Sequence, residues 1–402
     1  MSTNNRILQL DLNCYADDNH KTNISDEILR NYIKEKIENT GVNFVYLQAS
    51  SEDNPGGNYK TSDRVMFDPA PYIDNAQVMS PDLLARAAKI IHEIAPDCQV
   101  LAWATTLCSA FLIDDDNDTV KTAEMGSDSC NWYKRATPFI EQTHSRLKSF
   151  YYALGRCTED LDGIMFQDDL VLSDWEDVSY AGRDILNSRY GVENLDDKQL
   201  YEFLDNQDES DSGFANSRDW HRYKVSAMDN LSLELFESFK QGYKDAFPAR
   251  FAERQQDDDT RLKCGRDFYS SSILSRSQAT GDWYGQDIDT ALDIYDHVVI
   301  MAYAHMDSDG QMPLASNEAR NWFTHLVQEG NRIANSNDRD RADKLIFKLQ
   351  SEAWKDSEGQ KMGSVPANVL RDNAQTLIAA GAVNIGFYPA LEPISHFDMS
   401  SL

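Results

Sequence analysis

In GIMFQDDLVLSDWEDVS, Gly163 to Ser179, apolar-leaning residues run straight into Asp168-Asp169, and Asp174, Glu176 and Asp177 follow within eight residues. A buried strand that ends in a cluster of carboxylates is the pattern to explain. Working outward, short β-rich apolar runs recur along the chain at residues 7–12, 43–49, 99–105, 163–169, 267–274, 297–304, 345–350 and 384–388. Helical patterns lie between them. One opens at Ser25-Asp26-Glu27 in N-cap fashion and another at Ser80-Pro81-Asp82. Further ones cover about 137–154, 217–246, 317–329 and 365–380. Alternating β and α segments with near-continuous apolar strands predict a parallel sheet covered by helices. Eight repeats predict closure into an α/β (β/α)8 TIM-like barrel with long strand-to-helix loops. An open doubly wound sheet is the alternative, but DLNCYADD after the first strand lacks its Gly-rich phosphate turn. Residues 50–79 and 179–216 are too long for simple connections, and long loops on that side of a barrel build its binding site.

The 402 residues, 41% of them hydrophobic, suffice for a large core without disulfide or metal support. The six cysteines show no zinc-like spacing and read as free, mostly buried thiols, with one or two disulfides the alternative in an oxidising compartment. No apolar run approaches the ~20 residues of a membrane helix, so membrane insertion is not expected. The start, MSTNNRILQLDLN, has neither the basic nor the apolar region of a signal peptide. With 67 acidic against 38 basic residues the net charge is −29. Such a chain repels nucleic acid and attracts a polycation.

In a barrel the carboxyl ends of the strands carry the chemistry. Here they offer Asp11 and Asn13, Gln48, Trp103, Gln167 with Asp168 and Asp169, Tyr303 and His305, Gln350 and Tyr388. Side chains alternate along a strand, so one of Asp168 and Asp169 aims into the barrel mouth and the other toward the helices. Two carboxylates held close together raise one another's pKa. A protonated carboxyl beside an ionised one is what general acid catalysis on a glycosidic oxygen requires. Leu170, Val171, Leu172 and Trp175 should pin the loop that bears Asp174, Glu176 and Asp177. Trp103, Trp132, Trp175, Trp283, Tyr303, Trp354 and Tyr388 fall at strand ends or in loops, where rings can stack on sugar faces or on an amino-sugar cation. No G-x-S-x-G elbow, P-loop, zinc helix or calcium loop occurs. No cofactor and no metal is expected.

Asp162-Gly163-Ile164-Met165-Phe166-Gln167-Asp168-Asp169, continuing Leu172-Ser173-Asp174-Trp175-Glu176-Asp177, resembles a signature of the C-terminal glycoside hydrolase domain of PgaB-type proteins, which act on poly-β-1,6-N-acetyl-D-glucosamine in biofilm export. Segments 45–49, 101–103, 299–302, 344–350 and 384–389 resemble further strands of that family. The resemblance implies a single barrel domain over residues 1–402. Such proteins often carry a metal-dependent deacetylase domain in front, but no H-x-x-x-H-type motif with an upstream Asp pair occurs here, so no deacetylase domain is expected. It implies endo-cleavage of the partly deacetylated, cationic polymer. It carries over Asp168, Asp169, Asp174 and Glu176 as catalytic residues, with Glu176 or Asp168 the general acid. The substrate-binding candidates are Asp11, Gln48, Trp103, Gln167, Trp175, Tyr303, Gln350, Trp354 and Tyr388. Gln167 stands where the family often has His, and Ala390-Leu391 follow Pro389 in place of an acidic pair. The expected partners are the polysaccharide and an export apparatus. The expected location is the periplasm or cell envelope if a leader or upstream segment is absent from this chain, and the cytoplasm if the chain is complete. The rivals are a glycosidase for another β-linked glycan and a non-catalytic polysaccharide-binding module.

Overall fold

The computed structural model describes residues 5–12, 24–38, 40–51, 64–73, 78–113, 118–123, 134–205, 214–257, 259–274, 285–308, 310–353 and 363–390. Eight parallel strands close into a barrel: β1 Arg6–Leu10, β2 Phe44–Gln48, β3 Gln99–Ala104, β4 Gly163–Phe166, β5 Lys263–Tyr269, β6 His297–Ala302, β7 Leu345–Gln350 and β8 Asn384–Tyr388. Each strand pairs with the next, and β8 returns to β1 with Arg6 opposite Ile385. This is the (β/α)8 barrel the alternating pattern predicts.

The alternation of side chains sorts the barrel into two layers. Ile7, Phe44, Tyr46, Leu101, Trp103, Met165, Val299 and Ile346 point inward and pack together as the barrel core. Their neighbours Leu8, Val45, Val100, Ile164, Phe166, Val298 and Phe347 point outward, under the helices. Ser25 caps the helix Asp26–Ile37 by accepting from the Ile28 amide. The 33-residue helix Phe214–Ala246 lies against Glu141–Arg156. Glycine is required at the entry to β4, because a Cβ on Gly163 would sit 2.0 Å from the Lys263 carbonyl oxygen.

Two sequence expectations are corrected. The fifth strand is Lys263–Tyr269 rather than 267–274, and Ser271–Leu274 is a short helix. Polar residues hide this strand in the sequence, yet both central charges are paired. Arg266 bonds Asp229 at 3.0 Å outside the barrel, and Asp267 bonds Lys348 at 2.6 Å inside it. Residues 179–216 contain the helices Tyr180–Tyr190 and Asp197–Leu204, each opened by a side-chain cap from Ser179 and Asp196. They bury Leu186, Leu200 and Leu204 against Val178 and Trp220 in a cluster of their own. Among the described residues no helix is long and apolar enough to cross a membrane. Cys98, Cys108, Cys157 and Cys264 are free thiols, and Cys14 and Cys130 lie outside the described residues.

Candidate active site

At the carboxyl end of the barrel a cleft of about 240 Å³ opens between Gln9, Trp103, Gln167, Asp168, Asp267, Met301, Tyr303, Met306, Lys348 and Tyr388. These residues come from seven different strands or the turns just beyond them, so the cleft is a product of closure. Trp103 and Tyr388 form one wall, with ring centroids 5.8 Å apart. The indole Nε1 of Trp103 and the Oε1 of Gln167 are buried and make no hydrogen bond. Both residues line the cleft, where these two atoms are buried polar groups without a protein partner.

Asp168 is half-buried beside this wall. The Tyr269 hydroxyl donates to its Oδ2 at 3.2 Å. Burial raises the Asp168 carboxyl above its ordinary range, while the Lys348 ammonium and the Tyr269 hydroxyl pull the other way. The strand has stopped at Phe166, two residues earlier. Strict alternation would have put Asp168 with the outward-facing Ile164 and Phe166, but the turn carries it into the mouth.

The floor is an ion pair. Lys348 Nζ donates to Asp267 Oδ1 at 2.6 Å and to Gln9 Oε1 at 2.9 Å, and both charged side chains are only 2% exposed. The ammonium also lies 5.5 Å from the Tyr388 ring centroid and 6.0 Å from that of Tyr303. Burial pushes Asp267 up to about 6 in spite of Lys348. Asp11, just beyond β1, is pushed up to about 7 by burial, with Lys348 and a hydrogen bond from Tyr388 opposing.

The other carboxylates of the loop after β4 hold the loop itself. Asp169 Oδ2 accepts from the backbone amides of Thr106 and Cys108, both at 2.8 Å, and so fastens the turn beyond β3. Burial raises Asp169 to about 6 against those amides. Glu176 is fully buried and accepts from Arg135 Nη2 with both oxygens at 2.8 Å, and from the Ser173 amide at 2.8 Å. Asp177 accepts from the amides of Lys121 and Ser179 and the hydroxyls of Thr137 and Ser179. Asp174 has its Oδ1 3.7 Å from His221 Nδ1. The buried Lys224 donates to the carbonyls of Ser173 and Asp174. This loop is pinned by the buried Leu170, Val171 and Leu172, as the interleaved apolar residues predict, and by its charges as well.

Of the sequence candidates, then, Trp103, Gln167, Asp168, Tyr303 and Tyr388 converge on one cleft, with Asp11 beside them. Asp169, Asp174 and Glu176 do not line it. Gln48 accepts from the Leu12 amide at 2.7 Å, and Gln350 donates to the Glu352 carbonyl at 3.0 Å, so both fasten the chain just beyond their strands. Trp175 stacks on Tyr201 at 5.9 Å and donates to Asp205, in the inserted helices. Trp354 lies outside the described residues. Gln9, Asp267, Tyr269 and Lys348 were not singled out from the sequence. The signal for two of them is there: a Lys inside LIFKLQ and an Asp inside CGRDFY each break a buried strand, and a buried charge demands a partner.

The sequence profile of hypothetical glycosyl hydrolase family 13 matches residues 9–388, all but the ends of the chain. The chain belongs to this glycosyl hydrolase family. The family assignment agrees with a carboxyl-lined cleft at the barrel mouth. The PgaB (BpsB) glycoside hydrolase domain from Bordetella bronchiseptica superposes with a TM-score of 0.70 at 23% identity, covering 96% of this chain and 94% of that one. The catalytic domain of β-amylase from Paenibacillus polymyxa shares the fold at a TM-score of 0.52 and 11% identity, covering 100% of this chain and 99% of that one. The poly-β-1,6-N-acetyl-D-glucosamine N-deacetylase of Escherichia coli K12 is 24% identical over 390 residues, 96% of this chain and 49% of the relative. The chain thus spans about half the length of the curated relatives it matches.

Proposed function

We propose that this chain is an endo-acting glycoside hydrolase for partly deacetylated poly-β-1,6-N-acetyl-D-glucosamine, and that Asp168 is its general acid. The observation that carries the reading is the place of Asp168: a carboxyl held toward its protonated form by burial, in a cleft walled by Trp103 and Tyr388. A protonated carboxyl there can deliver its proton to a glycosidic oxygen as the bond to the anomeric carbon breaks. The rings of Trp103 and Tyr388 offer flat faces to a sugar. Asp11, pushed up to about 7 and hydrogen-bonded by Tyr388, can exchange a proton near neutral pH.

The net charge of −29 supports a cationic amino-sugar polymer over an anionic one, since a negative field concentrates it near the cleft. Asp169, Asp174 and Glu176 serve this chemistry indirectly, by holding the loop that places Asp168. An association with a polysaccharide export apparatus and a home in the periplasm or cell envelope belong to the same proposal, supported by the PgaB relationship. The test is mass spectrometry of products after incubation with partly deacetylated polymer and with a panel of other β-linked glycans. Shorter amino-sugar oligosaccharides from the first alone support the reading. Cleavage of another glycan in preference, or none at all, removes it.

A further inference from the structure

Lys348 sits where its strand gives no local reason for a cation. It lies between Phe347 and Leu349 on β7, and its side chain crosses the barrel interior instead of reaching water. Among the described residues lining the cleft it is the one positive charge. A buried ion pair adds little over apolar side chains of equal volume, so stability does not account for Lys348 and Asp267. Asp267 and Gln9 take two of the three ammonium N–H groups. The rings of Tyr303 and Tyr388 flank the ammonium and keep it under the cleft.

We propose that Lys348 is a positioning residue that sets the charge of Asp168, and that Asp267 meters how much of this cation Asp168 feels. This rests on the glycosidase reading of the cleft for its use, though not for its physics. The charged and titratable groups around Asp168 come from every wall. Lys348 stands on β7, Asp267 and Tyr269 on β5, Asp169 next in the chain, Asp11 beyond β1, Tyr303 beyond β6 and Tyr388 on β8. Of these, Lys348 is the cation that opposes the effect of burial on Asp168, Asp11 and Asp267 alike. One ammonium is shared by three carboxylates. Removing it makes the charged form of Asp168 costlier. Removing the Asp267 charge does the reverse, because it takes away a neighbouring anion and releases the ammonium toward Asp168.

The two perturbations therefore have opposite signs, which a merely structural role would not produce. The experiment uses the full chain labelled with 13C at the aspartate side-chain carboxyl, with the Asp168 resonance assigned by D168N. Its titration is followed in wild type, K348M, D267N and the double variant K348M/D267N, which keeps the fold if the single lysine replacement does not. The expected result is an upward shift of about one pH unit or more in K348M, a downward shift in D267N, and in K348M/D267N a titration about one pH unit or more above that of D267N. The alkaline limb of the kcat/KM profile on the polymer should move the same way. Asp168 titrating at the same pH in K348M/D267N as in D267N, or moving upward in D267N, overturns the proposal. If the wild type cleaves no polymer, the glycosidase reading falls, while the carboxyl titration still decides whether Lys348 governs Asp168.

Discussion

Glu176→Gln is the perturbation that separates a carboxylate of the cleft from one that holds the loop. Glu176 and Arg135 are 0% and 2% exposed and are joined by two contacts of 2.8 Å. A glutamine keeps the shape and one acceptor but leaves the Arg135 guanidinium buried without its counter-charge. Breaking a buried pair from one side costs about 3–5 kcal/mol. With an unfolding entropy of about 2.1 cal/mol/K per residue over 402 residues, a loss of about 4 kcal/mol lowers the melting temperature by about 5 °C. Arg135→Met should cost a similar amount. The pair Arg135→Met with Glu176→Met should cost less than the sum of the single changes, because no uncompensated charge remains. The assay is thermal unfolding by circular dichroism, together with kcat/KM on the polymer well below the transition. Glu176→Gln should lose stability and keep activity within about tenfold. A variant that melts like wild type but loses activity by about a thousandfold would place Glu176 at the reacting bond and refute the assignment of the cleft.

Further outcomes follow from the same geometry. Asp169→Asn keeps an oxygen for the Thr106 and Cys108 amides, so it should fold. Wild-type Asp169, raised to about 6 from 3.8, contributes stability that is full below about pH 4 and lost as pH rises through about 6. Urea unfolding should accordingly show the variant gaining on wild type between pH 4 and pH 7.5, and a constant difference would contradict this. Trp103→Phe removes the unbonded N–H and part of the ring wall. Steady-state kinetics should show KM rising about tenfold, some 1.4 kcal/mol, with kcat changed less, and an unchanged KM would remove Trp103 from the sugar site. Because attraction between an acidic chain and a cationic polymer is screened by salt, kcat/KM should fall as ionic strength rises from 0.01 M to 0.15 M, and a flat response would set aside the electrostatic part of the argument.

The barrel was legible because each strand is a short apolar run between helical patterns, and seven of the eight runs lie on the strands observed. The exception, β5, carries Arg266 and Asp267, whose partners Asp229 and Lys348 are 37 and 81 residues away in the chain. Local pattern cannot report a pairing that only closure of the barrel creates. The site was legible in the same measure. Strand-end residues Trp103, Gln167, Tyr303 and Tyr388 were found because alternation and the rule of the carboxyl end apply to them directly. Asp168 and Asp169 could not be told apart, since the strand stops before reaching either and the turn decides. Glu176 reads in sequence as one more acid of a cluster. Arg135, the partner that gives it a structural role, is 41 residues distant.

The central claim is that Asp168 delivers the proton to the leaving sugar. Its most direct test is Asp168→Asn, assayed by mass spectrometry of the oligosaccharides released from partly deacetylated poly-β-1,6-N-acetyl-D-glucosamine, alongside binding of a short oligosaccharide by calorimetry. The account predicts release slower by about 10²–10⁴-fold with binding retained. Release at a rate within a few-fold of wild type would contradict it.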